Sequence, residues 1–211
     1  MTGQTNRRTF LKSAALAATG MAAGVALPVK VFAQASPVSG RDRAILGIAK
    51  REMDRAGSAL WRKDIAGIAD YGVPSNLPRF HFANLETGTV RSFLVTHGKG
   101  SDPYHTGSLE TFSNIPGSLA TSRGAYITWE WYTGRYGTSI RLGGLDPDNS
   151  HALERAIVMH SAAYATPEHV AKWGKLGRSD GCFAMSPGDF NEALWHLSGG
   201  RLLYADQLGL F

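Results

Sequence analysis

Cys182, inside Gly177–Met185 "GRSDGCFAM", is the only cysteine in 211 residues. A single thiol cannot form an internal disulfide, so it is either buried and inert or used as a nucleophile. A thiol attacks a carbonyl as its thiolate, which a nearby imidazole can generate and orient. Of the seven histidines, His160 is the candidate partner: it ends the apolar run Ala156–Met159, 22 residues before the cysteine. That places it at a strand end, held by a buried element and facing a surface. Gly181 lets the backbone turn sharply and approach a substrate closely. Backbone amides at Cys182 and its neighbours could then face a developing oxyanion. Read by itself, a lone cysteine beside glycine is more often structural than catalytic.

The elements that must carry these residues follow from periodicity. Arg41–Gly57 has apolar residues at Ala44, Ile45, Ile48, Ala49 and Met53, a helical spacing with charges opposite. Ile65–Ile68 reads as a second short helical or turn segment. From Arg79 the texture changes to strands: Arg79–Asn84 and Thr89–Thr96 about a turn, Gly124–Gly134, Ser139–Leu142 and the run ending at His160. "PEHVAKWGKLG" reads as a short helix opened by Pro167. "SPGDFNEALWHLSGG" reads as a helix from Ser186 closed by Gly199-Gly200, and "RLLYA" as a last strand. No internal repeat or low-complexity tract interrupts residues 36–211.

Residues 1–35 read differently. Arg7-Arg8, then Phe10, Leu11 and Lys12, an Ala/Gly-rich stretch and "AQA" at 33–35 have the layout of a twin-arginine export signal. The stretch is short and weakly apolar for a membrane span, and a stable span in the mature form is not expected. The whole chain carries +5, but 1–35 holds four cations and no acid, leaving 18 basic against 17 acidic residues. Near-neutral charge gives no reason to expect a nucleic-acid partner. The expected layout is a signal over 1–35, an N-terminal linker and helix over 36–75, and a catalytic domain over 76–211, with export to the periplasm.

"SDGC" after an upstream "IVMHS" resembles the L,D-transpeptidase catalytic domain family, whose hallmark is a histidine followed some twenty residues later by Ser-x-Gly-Cys. "FANLETGTVRSFLVTHGKGSD", "TFSNIPGSLATSRGAYITWEWYTGRYGTSIRLGGLD" and "ERAIVMHSAAY…LGRSDGCFAM" are each similar to its murein L,D-transpeptidase branch, over roughly Asn76–Tyr204. The resemblance implies a mostly β fold with flanking helices (α+β), a mixed β-sandwich preceded by the N-terminal helix. It implies peptidoglycan stem peptides as the partner. Cys182 would attack the third residue of a donor tetrapeptide, release the terminal D-alanine, and form a thioester. An amine would resolve it to a 3-3 crosslink; water would give carboxypeptidase activity. His160 would be base and acid, oriented by a backbone carbonyl at Ser161 or its neighbour. No cofactor or metal is implied.

The commoner branch has histidine where this chain has Asp180, a carboxylate that would raise the Cys182 pKa unless paired. Ser161 and Ala184 also depart from that branch, which has glycine and arginine there. His97, Tyr126, Arg178 and Ser179 are the candidate substrate-binding residues, with Ser179 also positioning the cysteine loop; Ser118 and Ser122 are further groove candidates. Trp129, Trp131, Trp173 and Trp195 read as core or groove-wall aromatics, and the spacing of His81, His97 and His105 matches no metal motif. Two rivals stand beside the transpeptidase: a non-catalytic peptidoglycan-binding protein, and another cysteine wall peptidase. In the familiar NlpC/P60-type peptidases the cysteine precedes its histidine; here only His196 follows Cys182.

Overall fold

The computed structural model describes residues 39–210; the export-signal reading of 1–35 lies outside them. Helix α1 (Gly40–Ala56) starts where the Ser39 hydroxyl accepts the Asp42 amide at 3.0 Å. It ends at Gly57, whose φ of 55° stops the helical path. Ile45, Ala49 and Met53 repeat every fourth residue, and all three are buried. Among the described residues no helix is long and apolar enough to cross a membrane.

Among the described residues eight strands form one mixed sheet: β1 (Ile65–Asp70), β2 (Phe80–Asn84), β3 (Thr89–Phe93), β4 (Gly124–Gly134), β5 (Gly137–Gly144), β6 (Val158–Ser161), β7 (Phe183–Met185) and β8 (Leu202–Asp206). Their order is β3-β2-β1-β8-β4-β5-β6-β7. Only β1–β8 and β6–β7 are parallel. The expected α+β class, with α1 ahead of a mostly β body, is what forms. The sandwich is a single sheet that curls. Past β3 the chain comes round to β7, where the Thr96 amide donates to the Ala184 carbonyl at 3.0 Å.

Each face carries its own core because side chains alternate along strands. On one face α1 packs over Ala66, Ile68, Ala83, Ala125, Ile127 and Leu202. On the other, α3 (Pro187–Leu197) presses Phe190, Ala193 and Leu197 onto Phe80, Ile140, Leu142, Met159 and Phe183. Arg55 fastens α1 to the loop after β5 through two bonds to the Asp146 carboxylate, 2.5 and 2.9 Å.

Several elements differ from expectation. Ile65–Ile68 is the start of a strand, not a helix: β1 lies between β2 and β8, and ladder bonds on both sides outweigh local preference. The sheet therefore begins before residue 76. β7, only three residues, gave no periodic signal. The α3 helix, capped at its start by Ser186, stops at Leu197 with Ser198 extended, ahead of Gly199-Gly200. α2 (Pro167–Trp173) forms as expected and closes on left-handed Gly174.

Candidate active site

The parallel pairing of β6 with β7 brings the cysteine and histidine together. Met159 pairs with Phe183, His160 with Ala184 and Ser161 with Met185. Cys182 is the residue just before β7, which sets it beside Val158. With a side-chain period of two, Val158 and His160 share a face with Cys182 and Ala184. His160 and Cys182 line one cleft with Tyr136, Tyr164, Arg178 and Asp180. Cys182 also lines an adjoining cleft with Leu119, Tyr132, Arg155 and Val158.

The histidine is fixed in one tautomer. Its Nδ1 lies 2.9 Å from the Ser161 carbonyl, which can only accept, so Nδ1 carries the proton and Nε2 the lone pair. Burial lowers the pKa of His160, partly opposed by that carbonyl bond, so the ring is a neutral base. The Tyr136 ring stacks over it, with centroids 4.6 Å apart and planes 19° from parallel.

The thiol is 5% exposed. It donates to the Ala156 carbonyl at 3.6 Å, and Ala156 holds a left-handed φ of 52°. Burial pushes its pKa up to about 11, with a smaller push from the Asp180 charge; the Val158 amide and the Arg155 charge pull the other way. Both shifts favour a neutral thiol and a neutral imidazole at rest. Asp180 turns outward to Lys99, 3.0 Å away, on the half-exposed rim.

The cysteine loop is braced from below. The Ser179 hydroxyl donates to the Cys182 carbonyl at 2.6 Å and accepts the Gly181 amide at 3.2 Å. The Ser179 amide donates to the His97 carbonyl at 3.0 Å. The Gly181 amide is thus engaged, whereas the Cys182 amide has no protein acceptor among the described residues. Gly181 has φ 114°, and a Cβ there would sit 2.7 Å from the Ala120 carbonyl oxygen and 2.8 Å from Ile157 Cδ1. Only glycine fits both conditions.

Two expected substrate-binding residues belong to the interior. His97 is 1% exposed; its Nδ1 accepts from Arg79 Nη2 at 2.8 Å and its Nε2 donates to Asp102 Oδ2 at 3.2 Å. Arg79 is itself fully buried and also holds the Val73 and Val95 carbonyls. This string anchors the loop from beneath the cleft. Tyr126 is wholly buried in the core against Phe183, its hydroxyl on the Ser122 carbonyl at 2.8 Å. Arg178 does line the cleft, although its guanidinium already holds the Asp102 and Pro103 carbonyls. Ser118 and Ser122 serve Arg155, whose guanidinium also takes the Ser113 and Ala120 carbonyls. Trp131 and Trp195 are exposed and line a cavity, Trp173 is exposed, and Trp129 packs against the α1-side core.

Tyr136, Arg155 and Lys99 were not legible as site residues. Tyr136 occupies the β4–β5 turn, a place where exposed aromatics are unusual; Arg155 stands directly before the apolar run that ends at His160. Those were the signals available.

A sequence profile for the L,D-transpeptidase catalytic domain matches residues 42–205. No curated protein matches the chain. Solved structures with similar folds include an L,D-transpeptidase from Mycobacterium smegmatis (16% identity, TM-score 0.42, 68% of this chain and 58% of that one). Another is L,D-transpeptidase 3 from Mycobacterium tuberculosis bearing a faropenem-derived adduct (12%, 0.43, 68% and 60%). A third is the helical cell shape determining protein Pgp2, K307A mutant, from Campylobacter jejuni (13%, 0.42, 81% and 57%). The chain spans less than two thirds of the length of these structures. With most of its length matched by the family profile, the chain belongs to the L,D-transpeptidase catalytic domain family.

Proposed function

We propose that the protein is a cysteine L,D-transpeptidase acting on peptidoglycan stem tetrapeptides in the periplasm, with Cys182 as nucleophile and His160 as base and acid. The observation that carries this is the pairing of β6 with β7, which puts a tautomer-locked imidazole and the sole thiol on one cleft. The thiol leaves the Ala156 carbonyl and gives its proton to His160 Nε2 as sulfur attacks the donor carbonyl. The Cys182 amide supplies an oxyanion donor. Collapse breaks the C–N bond to the terminal D-alanine, whose nitrogen takes the proton from His160, leaving a thioester. An acceptor amine then gives its proton to Nε2, attacks the thioester and yields a 3-3 crosslink. The sulfur leaves and is reprotonated; water in place of the amine gives a carboxypeptidase.

Imipenem tests the acylation half. Wild type should gain one drug mass at Cys182, Cys182→Ser should gain none, and His160→Gln should react about 10²–10⁴-fold more slowly. An unmodified thiol in protein that still binds sacculi would replace this reading with a non-catalytic peptidoglycan binder. Digests of walls from cells with and without the protein report the crosslink. Export is read by fusing residues 1–35 to a reporter and asking whether its periplasmic signal needs the twin-arginine translocon.

A further inference from the structure

Away from the cysteine, a cavity of about 510 Å³ opens between α3 and the β4–β5 hairpin, lined by Arg62, Trp131, Thr138, Trp195 and Ser198 among others. Trp195 is 83% exposed and Trp131 60%. Two indoles flanking one cavity in this way are costly to leave in water and mark a binding surface. Their ring faces make no aromatic or cation contact, and their N–H groups have no acceptor, among the described residues. Arg62 on the rim likewise has no side-chain hydrogen bond or ion pair there. Arg201, by contrast, is tied to Asp64 at 2.6 Å.

The lining selects a ligand. A hexopyranose offers flat C–H faces to indole rings and hydroxyl and amide groups to the Thr138 hydroxyl and the Arg62 guanidinium; the Ser198 hydroxyl already donates to the Leu194 carbonyl at 2.6 Å and can only accept from a ligand. A lipid or an apolar helix would leave the Thr138 hydroxyl and the Arg62 guanidinium unmet. Position points the same way. Trp131 and Tyr132 are neighbours on β4 and project to opposite faces; Tyr132 lines a cysteine cleft and Trp131 lines this cavity. The hairpin thus separates a peptide-processing cleft from an aromatic cavity on its other side. On the transpeptidase reading the substrate peptide hangs from a polysaccharide, and the Arg62 guanidinium can donate to that polymer's hydroxyl and acetamido oxygens.

We propose that this cavity binds the glycan strand, a β-linked chain of N-acetylated sugars, and so holds the polymer beside the cleft that processes its peptides. The probe is β-1,4-linked N-acetylglucosamine hexamer, followed by tryptophan fluorescence and calorimetry on the full chain and on Cys182→Ala. Both proteins should bind it, and Trp131→Ala and Trp195→Ala should each lose about tenfold in affinity or more. Both variants should keep wild-type melting temperature and imipenem acylation, because neither side chain is in the core or the cysteine cleft. Hexamer affinity unchanged in both variants, or no binding by wild type, overturns the proposal. Self-association of wild type that either substitution abolishes, without hexamer binding, would assign the cavity to a second copy and overturn it as well. Absent imipenem labelling with intact hexamer binding would sink the transpeptidase reading while leaving this one standing.

Discussion

The ring of Tyr136 lies flat on that of His160, 4.6 Å away, from the turn between β4 and β5. This stack helps keep the imidazole out of water, and burial is the main cause of its lowered pKa. A neutral base is retained to lower pH than an ordinary histidine allows. Tyr136→Ala should let the ring protonate more easily. The acid limb of the imipenem acylation profile should then move up by about half to one pH unit. A limb that stays in place would show that other groups set the histidine's protonation.

Two charges of opposite sign flank the thiol. Asp180 raises its pKa and Arg155 lowers it, both behind the larger push from burial. Alkylation by iodoacetamide should therefore keep rising with pH to about 11. Asp180→Asn should lower the midpoint by about half a unit; Arg155→Met should raise it by a similar amount. Since Arg155 also holds four oxygens of the 113–122 loop, Arg155→Lys separates charge from bracing. It should keep the wild-type midpoint while still loosening the loop. A midpoint indifferent to both charges would assign the whole shift to burial.

Gly181→Ala introduces a methyl into the Ala120 carbonyl at a positive φ. The expected cost is about 1–3 kcal/mol of stability together with displacement of the neighbouring sulfur. Thermal melts should show the loss, and imipenem labelling should fall further than the melting temperature implies. Wild-type labelling in a destabilised variant would mean that the loop tolerates the shift.

His81 and His97 are both buried, and burial lowers each to a pKa of about 4. Unfolded histidine titrates near 6.5, so between about pH 6.5 and 4 the unfolded chain binds the extra protons. Stability is complete above that window and falls as pH drops through it, by about 2 kcal/mol per histidine at pH 5. Urea unfolding at pH 7 and pH 5 measures the difference. His81→Gln should remove about half of it; an unchanged pH dependence would place the acid sensitivity elsewhere.

Much of this protein could be read along the chain. Cys182 was singled out by being alone, His160 by ending an apolar run, and the strands at 79–84, 124–134 and 201–205 by their residue types. The turn at Gly181, a bracing role for Ser179 and the Ser186 start of α3 were legible from residue type, whereas Ala120 and Ile157, which leave no room for a Cβ at 181, are tertiary neighbours. Pairing between distant segments was not encoded locally. Ile65–Ile68 becomes a strand only because β2 and β8 flank it, and three-residue β7 exists only because β6 and Thr96 offer it partners.

The tertiary structure also decided what each polar residue does. His97 and Tyr126 resemble groove residues by type, yet the curl of the sheet encloses them, where desolvation requires partners for every polar atom. Asp180 and Lys99, far apart in sequence, meet at the rim because Gly98 bridges Ser179. The sequence by itself determined which atoms could react and which segments were apolar, because side-chain chemistry and periodicity are local properties. Whether the thiol is charged at rest, which nitrogen of His160 is free and which tryptophans face water depend on burial. Burial is fixed only when segments a hundred residues apart close over one another.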